Sequence, residues 1–229
     1  MHSSELKIDW ATHEAAKFAV EHWHYSQRLP VGPLVKIGVW EAGKFVGVVL
    51  FSRGASPTLG NAYELTQTEV CELTRIALRQ HSTPVSRIMA IATKFMHRHC
   101  PGMRLVVSFA DPDRSHHGGI YQANGWIYTG CSVDSLQRFH EGRWKHSREI
   151  SGGAFGGSRK VQNYQALPSR ISSGKHRYLL PLDKSMREQV EKLRQPYPKR
   201  VGSAVSGTAI PIARDSATLI PTLSDNVSS

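Results

Sequence analysis

Apolar positions recur at helical spacing in ATHEAAKFAVEHW (residues 11–23), where Ala15, Phe18, Ala19 and Trp23 share a face and Asp9 or Thr12 is available as a cap. The pattern predicts a first amphipathic helix. After the polar, Pro/Gly-punctuated HYSQRLPVGP come LVKIGVWE and KFVGVVLFSR, two β-rich runs joined at Ala42-Gly43, which predict a hairpin. TQTEVCELTRIAL sets Val70, Leu73 and Ile76 against polar neighbours and reads as a strand. In STPVSRIMAIATKFMHRH, Ile88, Ile91, Ala92 and Phe95 fall on one face, with Ser82 or Thr83 to cap and Pro84 in the first turn, so a helix is expected up to Cys100-Pro101-Gly102. RLVVSFA is then a short continuous apolar run of the kind covered on both sheet faces.

A short helix carrying Tyr121 follows, then the β-like WIYTGCS and a hairpin around Glu141-Gly142. Residues 151–176 are Gly/Ser-rich and basic, which predicts a mobile arm or long loop, and 184–195 suit a short charged helix. From Val201 the chain is poor in charge and rich in Ser, Thr, Ala and Pro, the composition of a disordered tail. The order strand, loop, helix, strand, helix, strand implies an α/β fold with a parallel portion. A chain of 229 residues can bury one substantial core. The organisation expected is a domain over residues 1–183, a short charged extension over 184–202 and a tail over 203–229.

Composition narrows the setting. No apolar run approaches the roughly 20 residues a membrane span needs, and MHSSELKIDWATHE lacks a basic stretch followed by an apolar one. Cys71, Cys100 and Cys131 are too far apart in sequence for a close-spaced zinc pair or a disulfide framework, so a reducing cytoplasm is expected. The net charge is +11, and residues 138–200 hold 15 Lys and Arg against 5 Asp and Glu, so about +10 of it lies there. Basic residues interleaved with aromatics and glycines, as in RFHEGRWKHSRE and SGKHRYLL, suit phosphate contact and base stacking, and point to a polyanion partner rather than a merely solvated face.

Candidate chemistry gathers in SFADPDRSHHGGIYQANGW, residues 108–126. Ligands of open α/β sheets favour the carboxyl ends of parallel strands, where Asp111 falls. Asp111 is open to two readings, a cap for the turn that follows or a functional carboxylate. Tyr121 is either a core residue or a hydroxyl fit for general acid work. The Trp23-His24-Tyr25-Ser26 run at the end of the first helix places an imidazole there that is either a helix-end partner or part of the site. His116 and His117, with His24 and Asp111, raise a metal, iron among the options, but adjacent histidines and a lone carboxylate form no recognised ligand spacing. The loop ALRQHSTPVSR leads into a helix start, where free amides suit a phosphate and where Arg75, Arg79, Ser82, Ser86 and Arg87 are the candidate cofactor contacts.

Taken together, these runs resemble the GNAT acyltransferase superfamily in their order of elements and in the helix ending Ile-Tyr-x-x-x-Gly-Trp. More specifically, HYSQRLPVGPLVKIGVW, GVVLFSRGAS, TEVCELTRIAL, SFADP, HHGGIYQANGWIYTG and GKHRYLLPLD resemble the Mom family of phage DNA-modification proteins, over roughly residues 20–183. The resemblance implies a GNAT-like, mixed, partly parallel sheet flanked by helices with a basic C-terminal extension. It also implies conversion of the exocyclic amine of DNA adenine to a carbamoylmethyl derivative, which protects phage DNA from restriction. Family residues map onto His24, Tyr25, Asp111 and Tyr121. Coenzyme A is the donor such a superfamily implies, but Arg79-Gln80-His81-Ser82-Thr83-Pro84 stands where a Gly-rich pyrophosphate loop is usual, which makes glycyl-tRNA an alternative. Double-stranded DNA is the expected partner, with Arg28, Arg143, Lys145, Arg148, Lys175 and Arg177 as its candidate contacts, and tRNA a second.

Two other readings remain. Ala-Asp-Pro-Asp faintly resembles the Asp-Pro-Pro-aromatic motif of adenine methyltransferases, but no Gly-rich strand-turn for S-adenosylmethionine precedes it. A non-catalytic DNA-binding protein would explain the charge, yet no helix-turn-helix, zinc-finger or heptad pattern is present. The charge distribution predicts that DNA affinity depends on residues 138–200 and falls steeply between 50 and 200 mM salt, by about a thousandfold if six or more phosphates are neutralised. Deleting 203–229 is expected to leave affinity unchanged in a filter-binding titration; a strong defect would place phosphate contacts in the tail.

Overall fold

The computed structural model describes residues 5–54, 56–150 and 161–199. Strand β1 (Leu6–Trp10) precedes helix α1 (His13–Trp23), whose cap is Thr12, its hydroxyl accepting the Ala15 N–H. The expected hairpin forms as β2 (Leu34–Glu41) and β3 (Lys44–Ser52), and β4 (Val70–Leu78), α2 (Val85–His99) and β5 (Leu105–Ala110) follow in the expected order. Then come α3 (Gly119–Gln122), β6 (Ile127–Cys131), β7 (Ser135–His140), β8 (Arg143–His146), α4 (Ser147–Ile150), β9 (Ser169–Ser172), β10 (His176–Pro181) and α5 (Lys184–Glu191).

Seven strands form one sheet in the order β1-β2-β3-β4-β5-β10-β6, and a second sheet runs β8-β7-β9. The main sheet is mixed and partly parallel, as expected. Among the described strands only β4 and β5 pair in parallel, over Val70↔Leu105 to Glu72↔Val107. The reason is β10, which pairs antiparallel with both β5 and β6 and so separates them. The SGKHRYLL run reads locally as a charged segment, whereas Tyr178 and Leu179 are fully buried in the sheet. The stretch expected as an arm over 151–176 contains β9 and the start of β10; residues 151–160 lie outside the described part, as do 200–229.

Both faces are covered. One carries α2, whose Ile88, Met89, Ala92 and Met96 pack with Phe51, Leu73, Val106, Tyr121 and Trp126. On the other, α1 lays Ala16, Ala19 and Val20 on Val48, Leu50 and Ala77, and α5 lays Met186 and Val190 on Leu105, Val107, Ile127 and Leu179. Residues 184–199, read from sequence as an extension, thus supply part of the core, and Tyr197 Oη donates to the Trp126 carbonyl at 2.7 Å. A β-bulge between Leu50 and Phe51 pairs Leu50 with Arg75 and Phe51 with Leu73. Bulges re-aim side chains, and this one sends Arg75 toward the loop after α1, where its Nε donates to Ser26 Oγ at 3.2 Å.

The turn after β5 is fixed by Gly118, which sits at φ +82 against the Tyr178 ring. Tyr178 Oη donates to the His117 carbonyl at 2.6 Å, and the ring stacks on Tyr121 with centroids 5.0 Å apart. Gly118→Ala forces a Cβ into that ring in a left-handed conformation, so a loss of about 2 kcal/mol or more is expected. Thermal unfolding measures it; an unchanged midpoint would show that the turn relaxes freely.

Candidate functional site

Asp111 lies at the end of β5, where the sequence places it. Its Oδ1 accepts the Asp113 N–H at 3.0 Å and its Oδ2 is 3.7 Å from Lys175 Nζ, so it both caps the following 3-10 turn and forms an ion pair. Tyr121 is buried in α3, and burial pushes its hydroxyl up to about 12. Ser108 Oγ stands 2.8 Å from both the Tyr121 hydroxyl and the Leu73 carbonyl. A carbonyl only accepts, so the serine proton goes to Leu73 and Tyr121 donates to Ser108.

The loop after α1 faces this segment. The Ser26 N–H donates to His24 Nδ1 at 3.1 Å, which leaves the ring proton on Nε2. Burial, then the charges of Arg75 and His116, lower the imidazole to about 4, so it is neutral at physiological pH. The His24 and Tyr25 rings lie 4.3 Å apart. Across from Tyr25 are the Arg114 guanidinium, 5.3 Å from its ring, and His116, edge-on at 5.8 Å. His24, Tyr25 and Arg75 are therefore brought together with the stretch between Asp111 and Tyr121, whereas the Asp111 carboxylate itself is engaged by Lys175. Arg114, Ser26 and Ser108 take part without any signal in the sequence beyond their position beside the motif residues. Among the described residues, no group of three or more His, Cys, Asp or Glu is placed to hold a metal ion.

The start of α2 is occupied by the protein itself. Pro84, expected in the first turn, is the cap residue and has no side-chain bond to offer. Instead the Glu41 carboxylate accepts the Ser82 and Thr83 N–H groups at 2.8 Å each and the Thr83 hydroxyl at 2.6 Å. These bonds hold the carboxyl down at about 2. Two amides of the loop that leads into α2 thus already hold an anion from within the chain. Of the other candidate contacts there, Arg79 lies 6.0 Å from the Trp23 ring, Arg87 is exposed, and the Ser86 carbonyl accepts from Asn124 Nδ2 at 3.0 Å.

Several basic residues expected to meet DNA also have partners within the chain. Arg143 pairs with Glu149 at 3.6 Å, Lys145 is buried against Glu141 and His140, and Arg177 donates to Thr129 Oγ1 at 2.9 Å. Arg28 is exposed; the Arg148 side chain lies outside the described part. The second sheet adds an aromatic face the sequence reading did not single out as a unit. Trp144 and Phe139 meet edge to face at 5.4 Å and the Arg170 guanidinium lies 4.7 Å from the Trp144 ring.

Two pH measurements test these electrostatics. Glu41 has a depressed value in the folded chain, so its contribution to stability is fully present above its ordinary 4.5 and lost as pH falls through about 2. The difference in unfolding temperature between the native chain and Glu41→Gln is expected to be open at pH 7 and to close over that window; a constant difference would show that the charge is idle. The His24 ring is expected to titrate near 4 by NMR, and a midpoint at its ordinary 6.5 would place it in solvent.

The sequence profile of the Mom protein family matches residues 5–199. "Methylcarbamoylase mom" of Escherichia phage Mu is 26% identical over 208 residues, covering 86% of this chain and 85% of the phage protein. Among solved structures, FeeM, an N-acyl amino acid synthase from uncultured soil microbes, overlaps 83% of this chain and 97% of its own at 11% identity and a TM-score of 0.47. Diaminobutyrate acetyltransferase EctA from Paenibacillus lautus, solved with its substrate and coenzyme A, overlaps 78% and 95% at 11% identity and a TM-score of 0.39. The profile match alone spans both faces of the main sheet, from β1 to the residues beyond α5, and on it the chain belongs to the Mom protein family.

Proposed function

We propose that this chain is a phage DNA-modification transferase that converts the exocyclic amine of adenine to a carbamoylmethyl derivative and so shields phage DNA from host restriction. The observation that carries the reading is the facing of His24-Tyr25 and the segment from Asp111 to Tyr121 across one end of the sheet, in a chain of this family. The phage Mu relative is named for a methylcarbamoyl transfer, in keeping with it.

Chemistry assigns the roles. An adenine amine is a weak nucleophile because its lone pair is delocalised into the ring, so a carboxylate that accepts its hydrogen bond supports attack. Asp111 takes that role once the base draws it from Lys175. Tyr25 is 54% exposed and offers a ring face on which an extruded base stacks. Neutral His24 orients that loop, and the Tyr121 hydroxyl, turned from Ser108, donates to the leaving group. The basic segment holds the DNA backbone. The work is that of a host cell's cytoplasm during infection.

The donor is an activated acyl group. Glu41 at the start of α2 argues against a diphosphate anchored there, which favours glycyl-tRNA over acetyl-coenzyme A. The product agrees. If the adenine amine attacks a glycyl ester, the acyl carbon–oxygen bond breaks, the tRNA hydroxyl leaves with the amine's proton, and the new amide carries a free amine that closes on the ring carbon through a five-membered spiro intermediate. Breaking the bond from that carbon to the original nitrogen leaves the glycine nitrogen on the purine and the original nitrogen as the carboxamide.

Mass spectrometry of nucleosides from cells expressing the chain is the test: a carbamoylmethyl adduct is expected, while a methyl adduct or unmodified adenine would overturn the reading. Tyr121→Phe is expected to cost about 1 kcal/mol of stability and to lower adduct yield about a hundredfold. Asp111→Asn keeps an acceptor for the Asp113 N–H and is expected to lose activity with little change in melting; a fall of many degrees with activity retained would leave only the capping role.

A further inference from the structure

A second reactive cluster lies at the same end of the sheet. Cys131 ends β6 and His176 begins β10, and the two are opposite each other in the strand pairing. Cys131 Sγ is 3.3 Å from His176 Nδ1, and the Tyr128 hydroxyl is 3.0 Å from that nitrogen and 3.5 Å from the sulfur. Cys131 is exposed, whereas Cys71 is buried and Cys100 half-buried. On its other side His176 pairs with Ala110, the residue before Asp111. Burial, then His117, lowers the imidazole, which keeps it neutral and able to take a proton; burial above all raises the Tyr128 phenol, which keeps it a donor. A thiol, a base and a hydroxyl within one hydrogen-bonding triangle is the arrangement covalent catalysis needs.

We propose that Cys131 is a nucleophile served by His176 and Tyr128, and that it carries the acyl group as a thioester between an activated acyl ester or thioester and the amine that finally receives it. His176 Nδ1 takes the thiol proton as the sulfur attacks the donor carbonyl carbon, and the Tyr128 hydroxyl donates to the sulfur. The bond to the leaving oxygen or sulfur breaks, and that group departs with the proton from His176. In the second half the acceptor amine attacks the thioester carbonyl, the carbon–sulfur bond breaks, and the amine proton returns to the sulfur through His176. No electrons are gained or lost. Covalent capture also removes any need for the donor's carrier to stay anchored at the start of α2, where Glu41 already sits.

The first half stands alone; the second rests on the transferase reading. With p-nitrophenyl acetate as probe, acetyl is expected on Cys131, mapped by peptide mass spectrometry, at least about tenfold faster than on Cys100. His176→Asn is expected to lower that rate about tenfold, with the circular dichroism spectrum unchanged. Labelling that does not favour Cys131 over Cys100, or that is indifferent to His176, would overturn the site. Cys131→Ala removes one exposed sulfur and is expected to cut adenine modification about a hundredfold, with DNA affinity kept. A native-like rate in that variant would sink the thioester and leave the adenine reading intact. If the native chain labels on Cys131 but never modifies adenine, the nucleophile stands and the adenine reading falls.

Discussion

Strands β4 and β5 run side by side for three residue pairs and then part, and the parting is held by one serine. Ser108 reaches from β5 to the Leu73 carbonyl of β4 and accepts from Tyr121 at the same time. A buried carbonyl that has lost its ladder partner is costly, so the hydroxyl makes the opening tolerable and ties α3 to it. Everything placed beyond the opening depends on this: the turn from Asp111 to His117, the stacking of Tyr178 on Tyr121, and the approach of Arg114 and His116 to Tyr25. The Tyr121 ring fills the sheet's face while its hydroxyl bonds to Ser108 across the gap.

Charge is arranged to match. Among the described residues, Lys145, Arg143, Arg104 and Lys175 each have a carboxylate partner. Apart from that of the buried Lys145, these half-exposed pairs contribute little to stability, but they orient cations. The Asp111–Lys175 pair sets a carboxylate and a cation side by side at the end of β5.

How much of this the sequence disclosed follows from the range of the interactions. The hairpin, α1, α2, β4 and β5 announce themselves because their apolar periods are local. The positions of Asp111, after a buried strand, and of Tyr121, before Gly-Trp, follow from local signals too. What escaped is long-range. β1 is a five-residue strand of mixed polarity that makes sense only against β2, and β10 becomes a central strand only when it enters between two strands far earlier in the chain. The cap of α2 escaped for the same reason, since its acceptor is 41 residues upstream. Cys131 and His176 are 45 residues apart, so no spacing rule could have joined them.

The Glu41 carboxylate on the Ser82 and Thr83 amides has a chemical corollary on the proposed reading. A helix start that binds a diphosphate lends its dipole to the donor and lets the acyl group pass directly between two bound molecules. On the proposed reading, a covalent intermediate lets donor and acceptor bind in turn, so that a carrier too large to share the site with duplex DNA leaves before the DNA arrives. A covalent intermediate is what makes such a sequence possible. The exposed Cys131, already in contact with a neutral imidazole, is where this fold has one to offer.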